Sequence, residues 1–174
     1  MTNYLLANQV QIMIIDDYSS MKRYMNEVKK VARVISYVVK TADDNGMEIY
    51  PASKTAKNPR ICETSSQIEK VIDKMETVDG KCDMGASLEH VFEKLLVDGR
   101  KVKHTSIYIY TDGVWEPGTN VKRVVDAAIE HLEKHGQSTR TLMLQFIQFG
   151  HDTKGTEDLK FLDNDCTKRA DLET

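Results

Sequence analysis

The sequence predicts a single α/β domain with a central, mostly parallel sheet of about six strands and helices on both faces, a doubly wound, Rossmann-like arrangement. Short apolar runs that suit buried strands alternate along the chain with amphipathic stretches that suit helices. Two of these runs, 10–15 and 105–111, lead directly into an aspartate. The chain has 174 residues, which is the length of one domain and enough to bury a core. We therefore take 1–174 as one domain.

The chain begins with a predicted strand and a long helix. Residues 10–15 are rich in Ile, as buried parallel strands often are. Apolar residues recur at steps of three and four across 21–39, which predicts an amphipathic helix, and turn-forming residues at 43–46 end it. A second strand is predicted at 47–52, and a short edge strand at 60–62.

Two further helices are predicted in the middle of the chain. Thr64 and Gln67 have the spacing of a capping box, and the apolar stripe across 68–75 indicates the helix that this box would begin. The segment 80–85 is predicted to be a loop. Apolar residues across 88–96 then indicate another helix.

The last third of the chain repeats the alternation of strand and helix. A strand is predicted at 105–111, a loop at 113–118 and an amphipathic helix at 121–132. Another strand follows at 142–149. Only one or two helical turns are predicted at 157–162, and residues 170–173 are too few to assign.

The aspartates at the strand ends are the first candidate site. Asp16 follows the strand at 10–15 and Asp112 follows the strand at 105–111. Parallel strands present their carboxyl ends at one edge of the sheet, where ligands bind in such folds. Two neighbouring carboxylates repel unless a cation lies between them, and Mg²⁺ prefers oxygen ligands. Further oxygens are available from Asp17, Ser19, Ser20, Asp83 and Thr111.

Several segments together resemble the von Willebrand factor A family. Residues 14–21 resemble its Asp-x-Ser-x-Ser motif after a buried strand, and 107–113 resemble its strand that ends in Thr-Asp-Gly. The loop 80–88 is similar to the family's Gly-Gly-Thr-x-Thr-Gly-x-x-Leu loop. Residues 144–152 and 159–165 are similar to intracellular, fungal-type members. The resemblance covers nearly the whole chain and implies the fold of that family.

The resemblance also implies a metal-ion-dependent adhesion site, in a degenerate form. Asp16 and Ser20 match its first aspartate and second serine, and Asp112 matches the aspartate of the Thr-Asp-Gly segment. Tyr18 stands where the first serine is expected, and Cys82 stands where the loop threonine is expected. A phenol is a bulky substitute for a serine hydroxyl, and a thiol is a soft donor that Mg²⁺ does not favour. We expect Mg²⁺ binding to be weak or lost.

The same resemblance implies a non-enzymatic protein-interaction module. In this family an acidic residue of the partner protein usually completes the coordination of the ion. If the ion site has decayed, binding depends on the surrounding loops, where we predict that Tyr18, Met84 and Trp115 contact the partner. Members of the family generally continue into a closing C-terminal helix that is not evident in this sequence, so we expect the domain to lack it. An apolar strip left open there would favour a homodimer.

Composition narrows the class of protein. The net charge of −3 gives no reason to expect nucleic-acid binding, and no run of residues is apolar enough to span a membrane. The three cysteines, Cys62, Cys82 and Cys166, are widely spaced and odd in number, which favours free thiols in a reducing compartment. No signal peptide is recognisable at the N-terminus. We therefore expect a cytoplasmic or otherwise intracellular protein.

Candidate catalytic groups are lacking in the sequence. His131 and His135 have the spacing of some helical zinc ligands, but no third ligand is evident from the sequence and both suit the C-terminal end of a helix. No Gly-rich phosphate loop is present, and no nucleophile has a neighbouring base in a known motif. Cys82 has no neighbouring histidine in sequence and is interpreted as an inert thiol.

Two other functions remain open. Residues 14–23 also look like the opening of a response-regulator receiver, a phosphorylation switch whose acidic pair binds Mg²⁺. A receiver needs an acceptor aspartate after its third strand and a lysine after its last strand, and neither is evident in the sequence. The third possibility is a purely structural subunit of a larger assembly.

Overall fold

The computed structural model describes residues 9–40, 46–54 and 59–170, and these contain five strands. The strands are β1 (Val10–Ile15), β2 (Met47–Pro51), β3 (Arg60–Cys62), β4 (Thr105–Thr111) and β5 (Leu142–Gln148). They form one sheet in the order β3-β2-β1-β4-β5, in which only β3 runs antiparallel. The mostly parallel sheet is confirmed. The count of about six strands is corrected to five, because β5 is the last strand in the described part of the chain.

In the described residues, five α-helices connect and cover the strands. They are α1 (Met25–Lys40), α2 (Ser65–Asp73), α3 (Met84–Leu95), α4 (Val121–Lys134) and α5 (Thr153–Ala170). A 3₁₀ segment, Ser19–Tyr24, precedes α1, so the long helix predicted at 21–39 is divided in two. The capping box of α2 is present, since Gln67 N donates to Thr64 Oγ1 and Thr64 N donates to Gln67 Oε1.

The helices lie on both faces of the sheet, as predicted. Because strand side chains alternate between the two faces, Ile12 and Ile14 of β1 face one core while Met13 and Ile15 face the other. The first core contains apolar residues of α3 and α4, and the second contains those of α1 and α2. Each layer therefore has its own buried core.

Helix α5 corrects the expectation that the domain lacks a closing helix. It has 18 residues, and Asp152 caps its start by accepting a hydrogen bond of 2.8 Å from Gly155 N. Leu162 is buried in the first core and Leu159 packs against it. Charged residues occupy much of the helix, so its short apolar stripe indicates only one or two turns.

Strand β5 lies at one edge of the sheet. Among the described residues no strand pairs with its outer side, and most of its side chains are half-buried. A groove of about 910 Å³ runs along it, lined also by residues of α4 and α5. None of the seven residues of β5 is charged.

The order of the strands defines a switch point between β1 and β4. From β1 the chain first builds β2 on one side, and then returns to build β4 on the other side of β1. In open α/β sheets ligands bind at the carboxyl ends of the strands at such a point. Asp16 and Asp112 follow these two strands. In the described part of the chain, no helix has the length and apolar character to cross a bilayer.

Candidate functional site

Asp16 and the end of β4 are joined by two hydrogen bonds. Asp16 N donates to Tyr110 O at 2.9 Å, and the Thr111 hydroxyl donates to Asp16 Oδ2 at 2.8 Å. The pairing of Ile15 with Tyr110 in the parallel ladder places both strand ends level. The predicted meeting of the acidic strand ends at one edge of the sheet is therefore confirmed.

The Thr111 hydroxyl already has a full set of partners. Besides donating to Asp16, its oxygen accepts hydrogen bonds of 3.0 Å from Gly113 N and from Trp115 Nε1. A threonine oxygen has two acceptor positions, so none remains for a metal ion. The expectation that Thr111 could add an oxygen ligand is wrong, because this hydroxyl fixes the strand ends instead.

Asp112 presents an oxygen without a partner. Its Oδ1 accepts a hydrogen bond of 2.9 Å from Val114 N, whereas Oδ2 is buried and has no hydrogen-bond donor among the described residues. The residue as a whole is 2% exposed. Leaving a buried carboxylate oxygen unpaired costs free energy, which a bound cation would recover.

The raised pKa of Asp16 also indicates that no positive charge among the described residues lies near these carboxyl groups. Burial, together with the negative charges of Asp112 and Asp17, raises the pKa of Asp16 from its ordinary 3.8 to about 6. The hydrogen bonds from Thr111 and from the Tyr18 amide lower the pKa but do not compensate. Because the carboxylate form of Asp16 is disfavoured without a cation, a cation bound at this end of the sheet would stabilise it.

Asp17 and Asp83, which the sequence suggested as further oxygen ligands, already accept hydrogen bonds from other residues. Asp17 accepts hydrogen bonds from the backbone N of Ser53 at 2.8 Å and from its hydroxyl at 2.5 Å, one on each oxygen. Asp83 caps α3, and its Oδ1 accepts from Ala86 N at 3.0 Å and from Thr119 Oγ1 at 2.7 Å. Asp17 thus ties β1 to the end of β2, and Asp83 ties α3 to the loop before α4.

Cys82 lies beside the acidic residues. It is fully buried, and its backbone pairs with that of Trp115 through a hydrogen bond of 2.9 Å from Glu116 N to Cys82 O. Burial raises the pKa of its thiol well above the ordinary value, and the charges of Asp16 and nearby acids raise it further. The thiol is therefore neutral at physiological pH, which makes it a poor nucleophile and a poor ligand for Mg²⁺.

Tyr18 lies on the solvent side of the site formed by Asp16, Asp112 and Cys82. It is partly buried, and its backbone N donates to Asp16 Oδ1 at 3.2 Å. Burial raises the pKa of its phenol, and the neighbouring Cys82 and Asp17 add to the shift. Its ring lies over Gly80, at the start of the loop that carries Cys82. Ser20, in the 3₁₀ segment after Tyr18, is half-buried.

The predicted partner-contact residues separate into two groups. Met84 is 0% exposed and Trp115 is 6% exposed, so both belong to the core beneath the site. The prediction that these two side chains contact a partner is not supported, because a buried side chain offers no surface. Trp115 instead supports Thr111 through its indole N–H. Of the three residues, only Tyr18 retains a substantially accessible side chain.

A basic groove of about 770 Å³ opens next to Asp17. Four of its lining residues are cationic: Lys54, Arg60, Lys70 and Lys74. Asp17 and Glu76 are its acidic members, and the Asp17 carboxylate is already engaged by Ser53. The groove therefore favours an anionic ligand, a property for which the net charge of −3 gave no signal.

One comparison with a solved structure supports the α/β fold. No protein-family model and no curated protein matches the chain. Among solved structures the chain is similar to proximal thread matrix protein 1 from the mussel byssus, with 17% identity and a TM-score of 0.50 over 81% of this chain and 40% of that one. A second match is the type V pili tip protein Mfa5 from Porphyromonas gingivalis, with 13% identity and a TM-score of 0.42 over 63% of this chain and 20% of that one. The chain thus spans less than half of either protein.

Proposed function

We propose that this protein is a non-enzymatic, protein-binding module of the von Willebrand factor A type, whose ligand surface lies at the carboxyl ends of β1 and β4. The observation that carries this proposal is the unpaired, buried Oδ2 of Asp112 beside Asp16. It lies at the switch point where α/β folds bind ligands. The sequence motifs around residues 14–21 and 107–113 agree with this placement.

The residues present fit a weakened Mg²⁺ site. Asp112 Oδ2 offers an oxygen with no partner among the described residues, Asp16 supplies a second carboxylate, and Ser20, in the segment that follows Asp16, would add a hydroxyl. Water commonly completes the octahedral coordination of Mg²⁺ in proteins. Tyr18 and Cys82 occupy positions where the family resemblance implies direct hydroxyl ligands, so the affinity is lower than that of an intact site.

The partner in this proposal presents an acidic segment. One carboxylate of that segment would complete the coordination of the ion, as the family resemblance implies. The neighbouring groove with Lys54, Arg60, Lys70 and Lys74 would hold the rest of the segment by charge complementarity. Tyr18, at the border of the cluster, is the aromatic contact.

The state of the buried groups supports a binding role over catalysis. Cys82 is held as a neutral thiol, and the Thr111 hydroxyl is fully hydrogen-bonded and buried. Neither is therefore disposed to act as a nucleophile. The buried free thiols Cys62 and Cys82 agree with a reducing, intracellular environment, which remains part of this proposal together with the fungal-type resemblance.

Calorimetric titration of Mg²⁺ and Mn²⁺ into chelator-treated protein tests the ion. We expect binding at concentrations on the order of millimolar, and its loss in Asp112→Asn. Capture of binding partners by immobilised wild type, Tyr18→Ala and Lys70→Glu/Lys74→Glu tests the surface. Tyr37→Ala is the matched control, because Tyr37 is 71% exposed on α1, outside the cluster and the basic groove. Equal capture by all four proteins would reject this surface.

One structural observation favours the receiver as a second candidate. When only parallel strands are counted, the order is that of a flavodoxin-like sheet, and Asp112 follows the third such strand, next to Asp16 and Asp17. A receiver also needs a lysine after its last strand, however, and residues 149–152, which follow β5, contain none. Treatment with acetyl phosphate and Mg²⁺ decides: an aspartyl phosphate that Asp112→Asn abolishes would establish the receiver. If neither a partner nor an ion binds, the role of a structural subunit is favoured.

A further inference from the structure

A separate cluster of metal-ligand side chains lies at the opposite end of the sheet. It consists of Asp98, in the segment after α3, and His131 and His135, near the C-terminal end of α4. One ligand atom from each residue lies within 4.8 Å of the others. Asp98 Oδ1 is 3.4 Å from His135 Nε2 and 3.9 Å from His131 Nδ1. The sequence showed the two histidines but gave no signal for Asp98, which lies 33 residues before His131.

We propose that Asp98, His131 and His135 form a binding site for a divalent transition-metal ion of the zinc class. Two imidazoles and a carboxylate are the ligand set of many open zinc sites, in which water or another group takes the fourth position. Ligand atoms around a tetrahedral ion that binds at about 2.0–2.1 Å are separated by about 3.3 Å. The observed separations are already near that value, so only small side-chain movements are needed.

The ring of His135 is oriented as a metal ligand requires. Its Nδ1 lies 2.8 Å from His131 O, so a neutral imidazole donates its N–H there. That hydrogen bond leaves the lone pair on Nε2, the nitrogen that faces Asp98. A backbone carbonyl that accepts the second N–H is the arrangement that fixes the tautomer of metal-bound histidines.

The ring of His131 presents a nitrogen to the same ion. Its Nδ1 lies 3.9 Å from Asp98 Oδ1. Histidine binds metal ions through either ring nitrogen, so Nδ1 can serve as the ligand without rotation of the ring.

The electrostatic setting also favours a cation. Both histidines lie in the last turn of α4 or at its C-cap, where the backbone carbonyls give the helix end a partial negative charge. The carboxylate of Asp98 adds a full negative charge. This proposal does not depend on the function proposed above, because the cluster shares no residue with the Asp16–Asp112 site.

Cobalt provides the test, since four-coordinate Co²⁺ has visible ligand-field absorption. The full chain, freed of metal by a chelator and held at about pH 7.5 so that free imidazole is mostly neutral, is titrated with Co²⁺. We expect one equivalent to bind, Zn²⁺ to displace it and Mg²⁺ not to compete. Asp98→Asn should weaken binding at least about tenfold, and His131→Ala/His135→Ala should abolish it.

His90→Ala is the matched control, because His90 pairs with Glu93 on α3 and is absent from the cluster. Asp112→Asn should also retain the cobalt spectrum, which separates this site from the first one. Since His135 is exposed, His135→Gln provides a second variant should the double variant fail to fold. Absence of a one-equivalent spectrum, or an unchanged spectrum in the histidine variants, would show that the cluster is only an ion pair.

Discussion

The Thr111 hydroxyl donates a hydrogen bond of 2.8 Å to Asp16 Oδ2 and thereby fastens the end of β4 to the end of β1. Both residues are 0% exposed. The same oxygen accepts hydrogen bonds from the Trp115 indole N–H and from Gly113 N. One hydroxyl therefore joins three segments beneath the candidate site. The bond to Asp16 holds an acid whose charged form the surroundings disfavour.

Replacing Thr111 with valine should destabilise the protein by about 3 kcal/mol or more. Valine keeps the shape but removes the acceptor of two buried N–H groups and the donor to Asp16, and each unsatisfied buried group costs about 1–3 kcal/mol. Thr105→Val is the control, because Thr105 is also buried in β4 but makes one hydrogen bond, to Lys103 O. Urea unfolding measures both variants, and equal losses would contradict the special role of Thr111.

The stability of the metal-free protein should fall as pH rises from about 4 to above 6. The folded pKa of Asp16, about 6, lies above the ordinary 3.8, so the folded state binds this proton more tightly than the unfolded chain does. The resulting stabilisation is fully present below pH 3.8 and is lost as pH rises through about 6. Its upper limit is about 3 kcal/mol, from 1.36 kcal/mol per pKa unit.

Chelator-treated Asp16→Asn should lack this part of the pH dependence. The difference between its unfolding free energy and that of wild type, measured from pH 4 to 8, isolates the contribution of Asp16 from those of other groups. Added Mg²⁺ should stabilise wild type most at the upper end of this range, where Asp16 is a carboxylate. Parallel curves for the two proteins without metal would reject the raised pKa.

Restoring hydroxyls at the two divergent positions should strengthen Mg²⁺ binding. The double variant Tyr18→Ser/Cys82→Thr places oxygen ligands beside Asp16 and Asp112, and we expect the affinity to rise at least about tenfold. Tyr37→Ser/Cys62→Thr is the matched control, since it makes the same chemical changes at residues outside the site. Calorimetry compares both with wild type, and an unchanged affinity in the first variant would show that these positions are not ligands.

Gly155→Ala should destabilise the protein, although alanine usually stabilises a helix by about 1 kcal/mol relative to glycine. A Cβ at this position would lie 2.5 Å from Asp112 O and 3.0 Å from the carbonyl carbon of Gly113. Relieving that overlap requires backbone movement, and overpacking of this kind costs about 1–3 kcal/mol. Unfolding followed by the fluorescence of the single tryptophan, with the exposed Glu157→Ala as control, measures the effect. A stabilised Gly155→Ala protein would contradict this close contact.

Much of the fold followed from local patterns in the sequence. The apolar runs that became β1 and β4 and the capping box at Thr64 all act over a few residues, and such signals can be read without knowing the tertiary structure. Helix α5 was largely missed because tertiary contacts of Leu159 and Leu162, more than a regular apolar stripe, hold it. A short apolar stripe can be sufficient when the helix docks on an existing core.

The candidate site was only partly predictable for a similar reason. The pairing of Asp16 with the end of β4 followed from the rule that parallel strands end at one edge. The engagement of Asp17 by Ser53, and of the Thr111 oxygen by Trp115, depends on contacts between distant segments. The burial of Met84 likewise depends on how α3 meets the sheet, which amino-acid type alone does not determine.

The outer side of β5 has a consequence for handling the protein in solution. Edge strands of soluble proteins usually carry lysines, prolines or bulges that discourage other chains from adding to them, and Leu142–Gln148 has no charged residue and no proline. Its outward amides and carbonyls can therefore template intermolecular pairing, and concentrated samples should show self-association that a single Gln145→Lys change suppresses. The homodimer proposed from the sequence would in that case be a sheet extended across two molecules.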